Sequence, residues 1–276
     1  MMLYISSASE RINSFPHECQ AVVGLFTYYK VTEEQRNFYR LMIDSFESTT
    51  RDSSQCSKEK PILVQFVFGI PLNKSYDSII AAEKLRHGDI TILSCPENMN
   101  HGKSYFWFSH LQANTFQLNP KMAFKLDSDT FVHYDNFAKS IEPFINNGSS
   151  VYYGRKSQTF MTGMFYGFSM DVVSDFTRNV NIMRNISVVK GEDWQSARWA
   201  DYVKDNLKKN VLYASNSKTF IDHPDAKKGW SVPFRDDIIA IHRMKTKESW
   251  NSTISYFFKG EQRNRLMNAF VFDKVG

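Results

Sequence analysis

Asp127 and Asp129 stand one residue apart in MAFKLDSDTFVHYDNF (Met122–Phe137), where an apolar run stops at the acids and resumes at Phe131 and Val132. Two like charges this close cost energy unless a cation or hydrogen-bond donors offset them. A hard divalent cation with oxygen ligands, Mn²⁺ or Mg²⁺, suits such a pair. The bare Asp-X-Asp motif arises by chance in a chain with this much Asp, and its bland reading is a solvated turn. Its placement at the tip of an apolar strand is what gives it weight. A second pair of acids, Glu192 and Asp193 in GEDW, opens a helical stretch. Acids there complement the helix dipole. The same position also holds a carboxylate rigidly enough to serve as a general base. His242 ends the apolar run IIAIH. Such a histidine is either structural or a metal ligand that leaves places for water and phosphate oxygens.

These residues need a frame. QAVVGLFTYYK (Gln20–Lys30) reads as a strand. The helix after it starts on a Thr32/Gln35 capping box and carries Phe38, Leu41, Met42 and Phe46 at helical spacing. PILVQFVFGI (Pro61–Ile70) is an unbroken apolar run, as a buried parallel strand requires. YDSIIAAEKLRHG is a helix with Gly88 as its stop. DITILSC, KSYFWFSHLQANTFQ and KMAFKLDSD follow as strand, helix and strand. This alternation predicts an α/β fold with a mostly parallel sheet and helices on both faces. Such sheets bind ligands outside the carboxyl ends of their strands, where Asp127 and Asp129 fall. Farther on, DNFAKSIEPFINNG reads as a helix and SSVYYGR as a strand. MTGMFYGFSMD is rich in Gly, Met and aromatics, GEDWQSARWADYVKDNLKK reads as a helix, and DIIAIHRM reads as a strand. No internal repeat or low-complexity tract interrupts the chain, and the two halves are expected to share one continuous sheet.

Composition narrows the function classes. The chain has 276 residues, 42% hydrophobic and 23% charged, which excludes a disordered chain. The net charge is +5 and its basic residues are scattered, which argues against nucleic acid and is compatible with an anionic nucleotide ligand. Cys19, Cys56 and Cys95 lack zinc-site spacing and allow at most one disulfide. Sequons at Asn73, Asn147, Asn185 and Asn251 are about as many as chance supplies. No apolar run reaches the roughly 18 residues of a membrane span. The start of the chain is a poor signal peptide.

In order along the chain, these segments resemble the β-1,3-galactosyltransferase/Fringe-type family of inverting glycosyltransferases. VVGLFT with Arg36 and Arg40 is similar to its first strand and Arg-bearing helix, and ILVQFVFG to its second strand. RHGDITIL is similar to its Tyr-Gly-Asp-Ile segment, with His87 in the tyrosine's place. FKLDSDTFV resembles Lys-X-Asp-Asp-Asp-X-Phe/Tyr-Val, with Ser128 in place of the middle acid. YYGR and FMTGMFYGFSMDVV resemble its Tyr-X-Gly and Gly-X-Gly-Tyr block, and GEDW its Glu-Asp-Val motif, with Trp194 and Ser196 departing from it. IHR matches its late metal-site histidine. Lys103 is the best match to the lysine of an Asn-Leu-Thr-X-Lys segment.

The resemblance implies a GT-A-like, Rossmann-type domain over 20–245, with a nucleotide-sugar half at about 20–135 and an acceptor half at about 136–245. An N-terminal extension (1–19) and a C-terminal one (246–276) flank it. The implied reaction moves a hexose or N-acetylhexosamine from a UDP-sugar to a hydroxyl of a glycan or glycoprotein, with β-1,3 linkage and inversion. Asp129 and His242 would ligate Mn²⁺ or Mg²⁺. Asp127, Ser128, Arg36, Arg40 and Lys103 would bind the nucleotide sugar. Asp193 would be the base, and Trp194, Glu192, Gly163 and Tyr166 would face the acceptor. The implied location is the Golgi or secretory lumen, with membrane attachment only through an anchor not present in this sequence. Two rivals remain. A haloacid-dehalogenase-type phosphatase also uses Asp-X-Asp after a strand, but wants Thr or Val where Phe131 stands and places the motif near its start. An inactive sugar-binding relative is compatible with Ser128.

Overall fold

The computed structural model describes residues 19–52, 54, 56–71, 73–98, 102–115, 119–179, 182, 191–227 and 229–270. The sequon at Asn185, residues 1–18 and part of the segment before Lys103 lie outside these.

Strand β1 (Ala21–Phe26) is buried along its whole length. Helix α1 (Glu33–Ile43) begins on the expected capping box, with Thr32 and Gln35 satisfying each other's backbone N–H groups. A two-residue strand β2 (Thr49–Thr50) precedes β3 (Ile62–Ile70), then come α2 (Ser75–His87) and β4 (Ile90–Pro96). Gly88 ends α2 in the left-handed conformation, φ 69°, as its sequence position predicts. Helix α3 (Lys103–Ala113) leads into β5 (Met122–Asp127).

β1 lies between β3 and β5, parallel to both, and Phe26 pairs with Asp127 at their common carboxyl end. The far edge of β3 carries β2 near its start and β4 farther along. The strands alternate their side chains between two cores. Ala21, Val23 and Leu25 pack with α1 residues Phe38, Tyr39 and Met42. Val22 and Phe26 pack on the other face with Tyr105, Trp107 and Phe108 of α3. Burial on both faces is why these strands read as unbroken apolar runs rather than alternating ones.

The second half extends the same sheet antiparallel. After the short β6 (Phe131–Val132) and helix α4 (Tyr134–Asn146) come β7 (Val151–Ser157) and β8 (Phe160–Ser169). The Gly- and aromatic-rich MTGMFYGFS segment is thus a long strand, a hairpin partner of β7, and it pairs with β5 through Lys125 and Tyr166. Helices α5 (Met170–Thr177) and α6 (Glu192–Asp201) follow, then β9 (Leu212–Ser215), parallel to β7.

The expectation of one continuous sheet holds for these eight strands but not for the strand of His242. β10 (Phe220–Asp222) and β11 (Ala240–His242) form a separate three-stranded sheet with β6. β11 runs antiparallel to β6, with Ile241 opposite Phe131. Because β6 begins directly after the Asp127–Asp129 turn, this small sheet carries His242 back to that turn.

Residues 247–270 are part of the same body. Helices α7 (Lys247–Phe257) and α8 (Gly260–Ala269) place Trp250, Ile254 and Leu266 in the core of α1. Trp250 meets the Phe38 ring edge-on at 5.3 Å and donates from Nε1 to the Met244 carbonyl at 2.8 Å. No helix among the described residues is long and apolar enough to cross a membrane.

Candidate active site

The turn after β5 is held from three directions. Tyr39 donates its hydroxyl to the Ser128 carbonyl at 2.6 Å. The Met244 N–H donates to the Asp129 carbonyl at 2.9 Å, and the Thr130 N–H to the Asp127 carbonyl at 3.2 Å. Helix α1, the loop after β11 and the turn's own backbone therefore fix the acids. Two lysines offset their charges, Lys125 at 2.7 Å from Asp127 and Lys245 at 3.4 Å from Asp129.

Asp127 faces two clefts. One, of about 380 Å³, is lined by Phe26, Thr27, Tyr28, Glu97, Lys103 and Ser128 among others. The other, of about 390 Å³, is lined by Lys125, Gly163, Glu192, Asp193, Trp230 and His242 among others. Beneath the second cleft lies a buried ion network. Lys125 Nζ sits 2.7 Å from Asp127 Oδ1 and 3.2 Å from Glu192 Oε2, and donates to the Gly163 carbonyl at 2.6 Å. Burial alone would lower the Lys125 pKa, but the carboxylates of Asp127, Glu192 and Asp193 outweigh it and hold the ammonium charged. Glu192 accepts from the Tyr166 hydroxyl at 2.7 Å and from the Ser104 hydroxyl. Burial pushes Asp127 above the ordinary aspartate range, against the pull of Lys125.

Asp193, at the start of α6, is also pushed upward, by burial first and by Glu192, while Lys125 and the Gly163 backbone oppose the shift. It lies against the Cα of Gly163. A Cβ there would stand 2.3 Å from Asp193 Oδ1, so only glycine admits this approach. A raised pKa makes this carboxylate a stronger base than a free aspartate, as a proton acceptor in a cleft should be.

Asp129 and His242 come together across the small sheet. His242 Nε2 is 3.7 Å from Asp129 Oδ1. The buried Asp222 carboxylate accepts from His242 Nδ1 at 3.1 Å, which leaves Nε2 as the ring nitrogen facing Asp129. Among the described residues, no three His, Cys, Asp or Glu side chains gather to hold an ion. The protein thus offers one carboxylate and one imidazole. That donor set fits Mn²⁺ or Mg²⁺, hard cations that fill their remaining positions with water and phosphate oxygens. Lys245 Nζ, 3.4 Å from Asp129 Oδ2, is well exposed and free to swing away.

No family model matches the chain. Among curated proteins, it is similar to the β-1,3-galactosyltransferase pvg3 of Schizosaccharomyces pombe, 24% identical over 303 residues that cover 88% of this chain and 75% of that one. The similarity is to a glycosyltransferase, and it spans most of both chains. Solved structures with a similar course include a glycosyltransferase involved in the glycosylation of the major capsid of PBCV-1, with TM-score 0.47, 11% identity, and 89% of this chain and 98% of that chain covered. Another is the glycosyltransferase GlyE of Streptococcus pneumoniae TIGR4, with TM-score 0.48, 12% identity, and 93% and 61% covered.

The residues singled out from sequence do not all meet. Asp127, Ser128 and Lys103 line the first cleft, and Asp127, Glu192, Asp193, Gly163 and His242 the second. Lys103 is buried, its Nζ held by Glu97 Oε1 at 2.6 Å and donating to the Thr27 carbonyl at 2.6 Å. Arg36 and Arg40, expected at the nucleotide sugar, line neither cleft. Both are buried on α1 in ion pairs with Glu83, and Arg40 also forks onto Asp89 at 2.8 and 2.9 Å. Their donors are spent inside the fold. Tyr166, expected on the acceptor side, is fully buried beneath Glu192. Glu192 reaches the cleft only at its floor, 8% exposed. Trp194 lines neither cleft, and the Arg198 guanidinium lies 4.8 Å over its ring.

Three residues went unmarked in the sequence. Lys125 had a signal, since a lysine inside an apolar strand must find carboxylates. Asp222 and Trp230 had none, because they come from short or irregular segments.

Proposed function

We propose that this glycosyltransferase moves a hexose or N-acetylhexosamine from a UDP-sugar to a hydroxyl of a glycan or glycoprotein, with inversion and β-1,3 linkage. The observation that carries the reading is Asp127 standing between two clefts, with Asp193 on one side and the Lys103 and Tyr28 pocket on the other. The first cleft takes the nucleotide and the second the acceptor. The curated β-1,3-galactosyltransferase relative supports the linkage and a galactosyl-type donor.

Asp193 takes the proton of the acceptor hydroxyl as its oxygen attacks the anomeric carbon, and the bond from that carbon to the β-phosphate oxygen breaks. One attack from the face opposite the leaving group inverts the centre, as in inverting glycosidases. Lys125 keeps Asp127 and the Gly163 carbonyl in place, and Gly163 in turn borders Asp193. Asp129 and His242 would hold Mn²⁺ or Mg²⁺, which supplies charge neutralisation at the leaving diphosphate when bound. The Cys19–Cys56 disulfide, which ties the segment before β1 to the loop before β3, favours an oxidising compartment and so the secretory lumen or Golgi.

The deciding experiment is a turnover assay with Mn²⁺ and UDP-Gal, UDP-GlcNAc, UDP-Glc and UDP-GalNAc, with and without saccharide acceptors. Transfer from one of these supports the reading. Sugar-nucleotide binding without hydrolysis or transfer sinks it in favour of an inactive binder, and hydrolysis of a generic phosphoester in favour of a phosphatase.

A further inference from the structure

The second cleft contains one indole, and it is not the one expected. Trp230 lines the cleft beside Asp193, Phe160, Met164 and His242. Its ring is fixed from behind. The Arg155 guanidinium carbon lies 4.3 Å from the ring centroid, and that guanidinium is itself anchored on the carbonyls of Ser217 and Phe220. Its backbone is fixed too. The Asp222 N–H donates to the Trp230 carbonyl at 3.2 Å, and Ser231 bridges to Asp222. The same Asp222 holds His242 at 3.1 Å and Arg243 at 3.2 Å. One residue therefore sets the indole and the histidine in a common frame.

Arg243 adds a second sign of construction. It adopts φ 65°, the left-handed region that non-glycine residues seldom enter. Consecutive residues of an extended strand face opposite sides. The kink at Arg243 lets His242 and Arg243 both line the cleft. Strain of this kind persists where the surroundings over-determine it, and here Asp222 does so.

We propose that Trp230 is the stacking platform for the acceptor's pyranose ring and the residue that sets acceptor preference in this cleft. The proposal rests on the glycosyl-transfer reading above and adds the acceptor subsite to it. A pyranose presents a face of polarised C–H bonds with its hydroxyls at the rim. An indole face carries the negative part of its quadrupole and attracts such a face. Arg155 covers one side of the ring, so a sugar can stack only from the cleft. Phe160 and Met164 extend the apolar surface, while Asp193 stands within the same cleft to meet a rim hydroxyl. An aromatic platform held by a guanidinium and two backbone contacts loses little freedom when a sugar docks.

The test uses the full chain and its Trp230→Ala, Trp230→Phe and Arg155→Met variants. Steady-state kinetics would use Mn²⁺, the UDP-sugar that wild type turns over, and methyl glycosides of galactose, mannose, glucose and N-acetylglucosamine as acceptors. Trp230→Ala is expected to raise the acceptor KM by about tenfold, the scale of one lost aromatic stack. The nucleotide-sugar KM should move less than twofold. Trp230→Phe should recover most of the loss, and Arg155→Met should cost a few-fold through a loosened ring. An unchanged acceptor KM in folded Trp230→Ala overturns the platform, and so does a rise confined to the nucleotide-sugar KM. Should Trp230→Ala not fold, saturation-transfer NMR on Trp230→Phe decides. Loss of the contacts from indole protons to the C–H protons of the methyl glycosides is expected, and contacts equal to wild type overturn the proposal. The same NMR measurement on wild type separates the two failures. A chain that turns over no UDP-sugar sinks the function, yet sugar contacts that vanish in Trp230→Phe still uphold the platform, and their absence in wild type sinks it.

Discussion

The Asp222 carboxylate accepts a hydrogen bond from Nδ1 of His242 at 3.1 Å, from a position only 3% exposed. That contact fixes which imidazole nitrogen can reach an ion. Asp222→Asn is therefore expected to weaken Mn²⁺ binding by about 10- to 100-fold, the usual cost of losing the partner behind a metal-binding histidine. Titration by Mn²⁺ electron paramagnetic resonance reads this without any turnover. Chelation should abolish transfer and Mn²⁺ restore it. Full activity in excess EDTA would remove the metal from the account.

Asp193→Asn keeps the shape of the side chain but removes its basic lone pair. A fall in kcat of about 10²- to 10⁴-fold is expected, with UDP binding nearly unchanged. The pH profile gives an independent reading. The Asp193 pKa is raised, so its base form is lost at a higher pH than for a free aspartate. The acid limb of kcat should fall as pH drops through a value above the ordinary 3.8, and should vanish in the residual activity of Asp193→Asn. A limb that survives in the variant assigns it to another group.

Gly163→Ala tests the seat of that carboxylate. The added Cβ would overlap Asp193 Oδ1, so the acid must move. A displacement near 1 Å costs roughly 10²-fold in rate. Thermal melting should change little by comparison, because the strand itself tolerates alanine. Wild-type kcat in this variant would mean that Asp193 acts from elsewhere or not at all.

Arg40→Met should read out as stability rather than as donor affinity. It leaves Glu83 and Asp89 buried with a lost partner, which costs about 3–5 kcal/mol. Both acids are held below their ordinary values by their arginines, despite burial that raises them. Their contribution is present above the unfolded carboxylate pKa and is lost as pH falls through the lower folded one. The gap in urea midpoint between wild type and Arg40→Met should therefore narrow in acid. A variant of normal stability with a raised UDP-sugar KM would restore the nucleotide-binding role suggested by the sequence.

Reducing the Cys19–Cys56 bridge should destabilise the chain by about 4 kcal/mol in the loop-entropy account for its separation of 37 residues. Urea unfolding with and without reductant measures it. Equal midpoints would show that the loop between them is already held by other contacts.

Much of the frame was legible because its signals are local. The capping box at Thr32, the stop at Gly88 and the apolar runs of β1 and β3 each follow from a few neighbouring residues. Asp127, Asp129 and Asp193 could be picked out because each ends or begins such an element. The direction a charged side chain faces was not legible. Arg36 and Arg40 share a helix with Phe38 and Met42, and only the remote Glu83 and Asp89 turn them inward. Tyr166 is on a strand whose two faces are both lined with aromatics, so periodicity could not say which face met the cleft. The strands of the small sheet have two or three residues each, too few to show any period, and so Asp222 and the seat of Trp230 stayed hidden.

That small sheet has a consequence for the making of the protein. Asp129 and His242 face one another because Phe131 pairs with Ile241 and Val132 with Ala240. A nascent chain acquires the first of these partners long before the second. β1, β3 and β5 can assemble while the ribosome is still translating, since their pairings need nothing beyond Asp127. The Asp129–His242 pair waits for β11 and for Trp250 to clamp the loop at Met244. A chain arrested before residue 240 would lack His242 and the Trp250 clamp, and with them half of the candidate ion site. Translation errors that truncate this protein should thus yield silent fragments rather than unregulated, half-specific enzymes.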